Sequence, residues 1–317
     1  MKIALIGPGI MPIPPNKWGA VEMLIWDYYN ILTELGHTVE IINTPDKSAI
    51  IQKVNDNCFD AVHLHYDVFS DLMPFLNSSV KIISSHYPYI SNPEHYVSDG
   101  YDNQIKNIIN NSDFYIFASS QNDIDTFVSM GAVKERTFLS RLGVKHESYN
   151  FLEKPLYDKT LCFSQIVNRK RQYIIQNLDE VVFSGRMDDS HFSNLKNYKG
   201  EMERELLNQE ITKYPNFILL SSVENTTPLA VKESLICGLG VVITEPVALE
   251  LDKNLEFITI IEEDKINDIE YIRHKIKQNR DTSINMRTQI RNYGIEKFGI
   301  KNIIENEYTK KIESILK

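Results

Sequence analysis

The densest chemistry in this 317-residue sequence lies between Ser221 and Val242. Glu224 is followed there by Asn225-Thr226-Thr227-Pro228-Leu229, then by Glu233, and the stretch is closed by Gly238. Proline suits the first position of a helix, where its missing N–H has no partner to lose and its φ is already helical. A threonine just ahead of it, Thr226 or Thr227, can cap the helix through its hydroxyl. Gly238 then supplies a stop. The pattern predicts a helix over 228–236 whose free first-turn N–H groups would hold an anion such as a diphosphate. Carboxylates beside a phosphate are electrostatically unfavourable, so Glu224 and Glu233 would accept hydrogen bonds from neutral hydroxyls of a sugar or ribose. Two ordinary surface glutamates are the plain alternative, and it leaves unexplained why acids bracket a helix start that is otherwise uncharged.

Other candidates are scattered. Lys170, in Arg169-Lys170-Arg171, follows an apolar run and would neutralise charge growing on a leaving diphosphate; a solvated basic turn is the alternative. The loop from Gly7 to Gly19 carries four prolines and lacks the third glycine of G-x-G-x-x-G, so it is a poor dinucleotide loop. Gly19 could instead expose N–H groups at a helix N-terminus to an anion, or the loop is purely structural. Two metal readings are weaker. Asp123-Ile124-Asp125 falls in the first turns of a helix, where residues two apart do not share a face, so capping explains it better. His63 and His65 share a strand face and His86 follows a strand end, yet no carboxylate at ligand spacing completes a set. No metal and no cofactor are expected.

These residues need a scaffold, and the apolar pattern describes one. Strands are expected at Lys2–Gly7, Thr38–Ile42, Ala61–Leu64, Val80–Ile83 and Phe114–Ala118, then at Thr160–Val167, Glu180–Ser184, Phe217–Leu220 and Gly240–Ile243. Helical spacing joins Val21 to Leu35 before Gly36, and recurs at Lys199–Leu207, at Pro228–Ile236 and from about Asp268 onward. Repeated strand–helix–strand units imply parallel sheets covered on both faces. Pro155, in the polar bridge Glu153 to Asp158, is the expected boundary between residues 1–155 and 156–290. Two open α/β domains would put a ligand crevice at the carboxyl ends of their strands.

Composition limits the partners. The net charge is −9, and residues 1–155 hold 11 Lys and Arg against 18 Asp and Glu. Nucleic acid, whose binding rests on neutralised phosphates, is a poor fit, and membrane contact should be at most weak and peripheral. Three cysteines in apolar surroundings read as buried thiols of a reducing compartment. The start of the chain lacks a signal-peptide pattern, and no apolar run is long enough to span a bilayer. The expected location is cytoplasmic.

The Glu224–Gly238 stretch resembles the donor-binding signature of glycosyltransferase family 4, retaining enzymes of the GT-B fold. Gly19-Ala20-Val21-Glu22 is similar to that family's G-G-x-E, Gly36-His37-Thr38-Val39 to its G-H-x-V, and Phe59-Asp60-Ala61-Val62-His63-Leu64-His65 to its F-D-x-V-H-x-H. Ser84-Ser85-His86 resembles its strand-end histidine and Leu142-Gly143-Val144 its N-G-V turn, all in family order. There are departures. Eight residues separate Glu224 from Glu233 where the family has seven, so either one residue is inserted or Asn225 fills the first position. Gln165 stands where the family has an arginine, with Lys170 at its lysine; Gly185-Arg186 after the next strand could supply the missing charge.

The resemblance implies two Rossmann-like domains facing across a cleft, with residues 291–317 crossing back as helices. It implies sugar transfer from a nucleotide-sugar, UDP-sugars favoured, to a glycan, lipid-linked or protein-linked hydroxyl. Lys170, Gly185, Arg186, Asn225, Thr226, Thr227, Pro228, Leu229 and Glu233 would hold the donor with Gly19, while His86 and Glu224 would serve the reaction. A nucleotide-sugar epimerase of the same fold and a non-catalytic nucleotide-sugar-binding subunit are the alternatives.

Overall fold

A computed structural model describes residues 1–16, 19–110 and 112–317. Two compact units divide them, one formed by Met1–Leu142 with Ile300–Lys317, the other by Gly143–Gly299.

The first unit is built on six parallel strands: β1 (Lys2–Ile6), β2 (Thr38–Ile42), β3 (Ala61–Leu64), β4 (Val80–Ile83), β5 (Tyr115–Ala118) and β6 (Thr137–Leu139). They lie in the order β2-β1-β3-β4-β5-β6. Neighbouring residues of a strand point to opposite faces. Ile3 and Leu5 therefore pack with α1 (Ala20–Glu34), while Ala4 and Ile6 pack with residues of α2 (Lys47–Asn57), α4 (Asp102–Asn110) and α5 (Gln121–Ser129). Between β4 and α4 comes the short α3 (Pro93–Ser98). Helix α1 follows from its buried stripe of Leu24, Ile25, Tyr28, Ile31 and Leu32. Asp46 caps α2 by accepting the N–H groups of Ser48 and Ala49.

The second unit has five parallel strands, β7 (Thr160–Phe163), β8 (Val181–Ser184), β9 (Asn216–Leu219), β10 (Gly240–Thr244) and β11 (Ile258–Ile261), in the order β11-β10-β9-β7-β8. Its helices are α6 (Gln172–Ile175), α7 (Arg204–Glu210), α8 (Leu229–Ile236) and the 30-residue α9 (Ile269–Phe298), capped by Asp268. One sheet face packs Leu161, Phe163, Leu219 and Ile243 with α8 and the later part of α9; the other packs Cys162, Ile218 and Val242 with Ile272 and Ile276 of its earlier part. The strand order reverses between β1 and β3 and between β7 and β9. Open α/β sheets take ligands at the carboxyl ends of strands flanking such a reversal.

The sequence placed the domain change at 155; the compact units change at Gly143. The intervening chain is tied to the second unit by its backbone. Arg287 of α9, fully buried, donates to the carbonyl of Leu152, and the N–H groups of Leu156 and Tyr157 donate to that of Lys213. Likewise α9 runs unbroken past 291, so the return begins only at Ile300. There α10 (Ile300–Ile303), a π-turn and α11 (Lys310–Leu316) bury Ile300, Ile304, Tyr308 and Ile312 in the first unit. Two edge strands, β6 and β11, were not expected. The helix expected from Lys199 starts at Arg204, because Lys199 and Gly200 pair with the end of β8 instead. Among the described residues no helix is long and apolar enough to cross a membrane.

Candidate functional site

In the second unit the loops leaving β7 and β9 are joined at the strand-order reversal. The carbonyl of Arg169, in the β7 loop, accepts from the N–H of Ser222 at 2.7 Å, and its guanidinium donates to the Val223 carbonyl and to Glu224 at 2.5 Å. Ser221 donates its hydroxyl to the same Glu224 oxygen at 2.7 Å. Glu224 is thereby fixed at the end of β9, its side chain only 7% exposed. Asn225, beside it, is half-buried. Arg171 pairs with Glu263. Lys170, between these two arginines, makes no hydrogen bond or ion pair among the described residues. Burial lowers its pKa to about 8; Glu224 opposes that shift and Arg169 adds to it.

Helix α8 starts one residue later than the sequence suggested, with Pro228 as its N-cap in an extended conformation and no side-chain cap. The expected threonine cap is absent, and both threonines bond to an acid instead. Glu250 accepts the Thr226 hydroxyl at 2.7 Å and the Thr227 N–H at 3.1 Å on one oxygen, while its own N–H donates to the Thr227 hydroxyl. The fully buried Lys232 pairs with that oxygen at 2.7 Å. A charged acceptor makes stronger hydrogen bonds than a hydroxyl, which explains why the threonines turn to it. The N–H groups of Val231 and Lys232 reach the Pro228 carbonyl, leaving those of Leu229 and Ala230 at the helix end.

Glu233 differs from the sequence picture of a carboxylate open to hydroxyls. It is buried, accepts the Tyr149 hydroxyl at 2.9 Å and is ion-paired with Arg204. Burial and then the Glu233 charge raise the Tyr149 pKa well above its ordinary value, so the phenol stays a donor. Gln165 and Arg186 meet on one carboxylate: the Gln165 amide donates to Asp188 at 2.6 Å and Arg186 Nε at 2.7 Å. Gly185 is required between them. Its φ is +139°, and a Cβ there would lie 2.0 Å from the Ser164 carbonyl oxygen. Arg169 was visible as part of a basic run; Glu250, Arg204 and Tyr149 had no signal, because each reaches its partner across 18 or more residues of chain.

In the first unit His86 follows β4, and His63 and His65 project from one face of β3. The His63 and His65 rings are 3.7 Å apart, and the His65 and His86 rings lie parallel at 5.9 Å. His63 is held by the Tyr308 and Ser84 hydroxyls at 3.1 and 2.9 Å. Both nitrogens of His65 and Nε2 of His86 are buried without a hydrogen-bond partner, at a small pocket also lined by Tyr28, Ser85 and Ser140. Loss of solvent lowers the His86 pKa to about 4 and those of His63 and His65 well below 6.5, so all three imidazoles are neutral at pH 7.

Gly19 is the N-cap of α1, with φ +136°. A Cβ there would sit 3.0 Å from the buried Glu22 carboxylate, so an internal acid already lies at this helix end. Lys17 and Trp18, of the same loop, lie outside the described residues. Ser120 caps α5 through the Asp123 N–H, Ser119 donates to Asp123, and Gln121 donates to Asp125. Among the described residues no group of three or more His, Cys, Asp or Glu is arranged to hold a metal ion.

The sequence matches no protein-family model and no curated protein. Solved structures do resemble it. A glycosyltransferase involved in avilamycin A biosynthesis superposes with a TM-score of 0.71 at 14% identity, over 99% of this chain and 98% of that one. Anabaena HepE in complex with UDP and glucose gives 0.75 at 13%, over 99% and 100%. Sucrose-phosphate synthase from Thermosynechococcus elongatus gives 0.75 at 12%, over 99% and 98%. With its two parallel-sheet α/β units, the chain has the GT-B fold of these glycosyltransferases.

Proposed function

We propose that the chain transfers a hexose from a nucleotide-sugar, a UDP-sugar favoured, to a hydroxyl acceptor in glycan or polysaccharide assembly, with retention at the anomeric carbon. One observation carries the donor half: the unpartnered, half-buried Lys170 ammonium on the loop leaving β7 where the strand order reverses. The first turn of α8, on the neighbouring loop, offers the N–H groups of Leu229 and Ala230 to a second phosphate. UDP is favoured because HepE is described with it, and retention rests on the resemblance of the glutamate-pair stretch to family 4.

Lys170 and the α8 N-terminus stabilise charge that grows on the diphosphate as the glycosidic bond breaks. The leaving phosphate oxygen takes the acceptor's proton, so the protein mainly positions the reactants. Glu224, held by Arg169 and Ser221, accepts sugar hydroxyls. His86 acts as a neutral hydrogen-bonding group for the transferred sugar. With both aspartates of the Asp123–Asp125 pair engaged locally, transfer proceeds without a divalent ion and survives chelator dialysis; strict dependence on Mn²⁺ or Mg²⁺ would overturn that.

A second reading, nucleotide-sugar binding without transfer, is favoured by Gln165 at the expected arginine position and by Arg186 being engaged with Asp188. Thermal stabilisation by a panel of nucleoside diphosphates and their sugars, followed by donor turnover, tests both. Binding raises apparent stability by mass action. Stabilisation with slow donor hydrolysis supports transfer, stabilisation alone supports the binding subunit, conversion of the donor into its epimer indicates an epimerase, and no stabilisation by any donor refutes all three.

A further inference from the structure

The proposed transfer leaves its acceptor undefined, and a tyrosine-rich segment of the first unit bears on it. Between Lys81 and Lys106 the sequence holds Tyr87, Tyr89, Tyr96 and Tyr101, three acids (Glu94, Asp99 and Asp102), and no lysine or arginine. This stretch leaves the carboxyl end of β4, the edge at which open parallel sheets take ligands. Its rings remain partly exposed, and α3 within it has no buried residue. Ile90 is buried and Tyr87 and Tyr96 pack against the core, so the segment is anchored while its rings stay partly open.

The rings are nevertheless fixed. Tyr87 and Tyr101 stack with centroids 4.1 Å apart and planes within 13°, and Tyr89 stacks on His95 at 3.7 Å. The Tyr87 hydroxyl donates to Asp99 at 2.6 Å and that of Tyr101 to the buried Asp67 at 3.0 Å; Ser85, next to His86, donates to the other Asp67 oxygen. The result is a set of aromatic rings preset by hydrogen bonds and framed by carboxylates.

Resting on the transfer reading, we infer that this segment is a carbohydrate-binding platform, and that the acceptor is a neutral or amino-sugar glycan. The C–H groups on a pyranose face carry partial positive charge and meet the negative face of an aromatic ring. Carboxylates accept hydrogen bonds from sugar hydroxyls or ammonium groups and repel phosphates. An anionic headgroup would need the lysines or arginines that residues 82–105 lack.

The test uses the full chain without nucleotide and four probes: maltose, cellobiose, N,N′-diacetylchitobiose and the glucosamine disaccharide. Glycerol phosphate and phosphatidylglycerol vesicles serve as anionic controls. At least one saccharide should bind by titration and saturation-transfer NMR. Tyr87→Ala should weaken that binding tenfold or more, and Tyr87→Phe, which keeps the ring, by threefold or less. Thermal unfolding and circular dichroism like those of the wild type show that the fold of each variant survives. The inference is overturned if none of the saccharides binds, if Tyr87→Ala binds them as the wild type does, or if the anionic probes bind in preference. Because saccharide binding is read without nucleotide, a wild type that ignores UDP and UDP-sugars counts against the transfer reading alone.

Discussion

Glu233→Gln separates two roles that a glutamate can hold five residues after Pro228. The structure gives its carboxylate, 5% exposed, to Arg204, whose side chain is 27% exposed, and to Tyr149. Glutamine keeps the shape and one acceptor for Tyr149 but removes the charge. Arg204 can recover water, so the loss should fall below the 3–5 kcal/mol typical of breaking a fully buried pair, at about 1–3 kcal/mol. Arg204→Gln instead strands a buried carboxylate and should cost about 3–5 kcal/mol. Adding Glu233→Gln to Arg204→Gln should then restore part of that loss, because the stranded charge disappears. Hydrogen exchange of the α8 amides reports opening of the second unit, and titration calorimetry measures UDP affinity in the same samples. If Glu233 binds ribose instead, stability will hardly move and UDP affinity will drop about ten- to a hundredfold. That outcome, or an Arg204→Gln variant more stable than Glu233→Gln, would refute the pairing argument.

Lys170 has a pKa near 8, below the usual 10.5, so its charge is lost first in the folded chain. Between these values the unfolded chain holds more protons and this group makes stability rise with pH. In the proposed donor site the diphosphate needs the ammonium, so UDP affinity should fall above about pH 8 in the wild type and much less in Lys170→Arg; a flat wild-type profile contradicts this. The three buried imidazoles act in the same direction, in the acid range. Their folded pKa values lie below 6.5, so stability falls as pH drops from 6.5 through about 4. The two tryptophans, Trp18 and Trp26, both precede residue 142, and their fluorescence should show an acid transition that His65→Phe shifts to lower pH; an unmoved midpoint argues against it. Gly185→Ala should destabilise the chain by about 2–3 kcal/mol or more, from a strained φ and the clash with Ser164. Urea unfolding within 0.5 kcal/mol of wild type would show that the β8 turn relaxes freely.

How much of this was legible in the sequence depended on the range of the interaction. Strands β2, β3 and β4 fall on the expected residues because each is a short apolar run that ends sharply, a local signal. Strand β6 has only three residues, one of them the exposed Leu139, so its apolar run is faint; β11 is the run Ile258-Thr259-Ile260-Ile261, whose local signal is as strong as that of the strands found. The 228–236 helix was found from Pro228 and Gly238, but the acid that takes up its two threonines was not, since Glu250 arrives from beyond β10. The same limit explains the domain boundary. Pro155 and its polar neighbours look like a linker, and it takes Thr212, 60 residues away, and Arg287, more than 130 away, to reveal that Leu152 is anchored. Glu233 shows the limit most clearly. Its spacing from Pro228 could be read, whereas Arg204 and Tyr149, which take its charge, could not.

Charge pairing in the second unit decides which cation can serve a ligand. Arg169 faces Glu224, Arg171 faces Glu263, Arg186 faces Asp188, Arg204 faces Glu233 and Lys232 faces Glu250. A cation already beside a carboxylate projects little net field toward a third charge, because the two contributions largely cancel beyond a few ångströms. These pairs act instead as braces. Arg169 binds the β7 loop to the β9 loop, and Glu250 ties Thr226 and Thr227 to the segment after β10. The braces fix the backbone on both sides of Lys170 and leave its charge uncancelled by a hydrogen-bonded partner. A helix end adds only about 0.3–1 kcal/mol for a partly exposed anion, so in the proposed donor site Lys170 would supply most of the discrimination in favour of a diphosphate. With Gln165 where a second cation was expected, the proposed site would have less charge to hold a nucleoside diphosphate after transfer, which would favour release of that product over its retention.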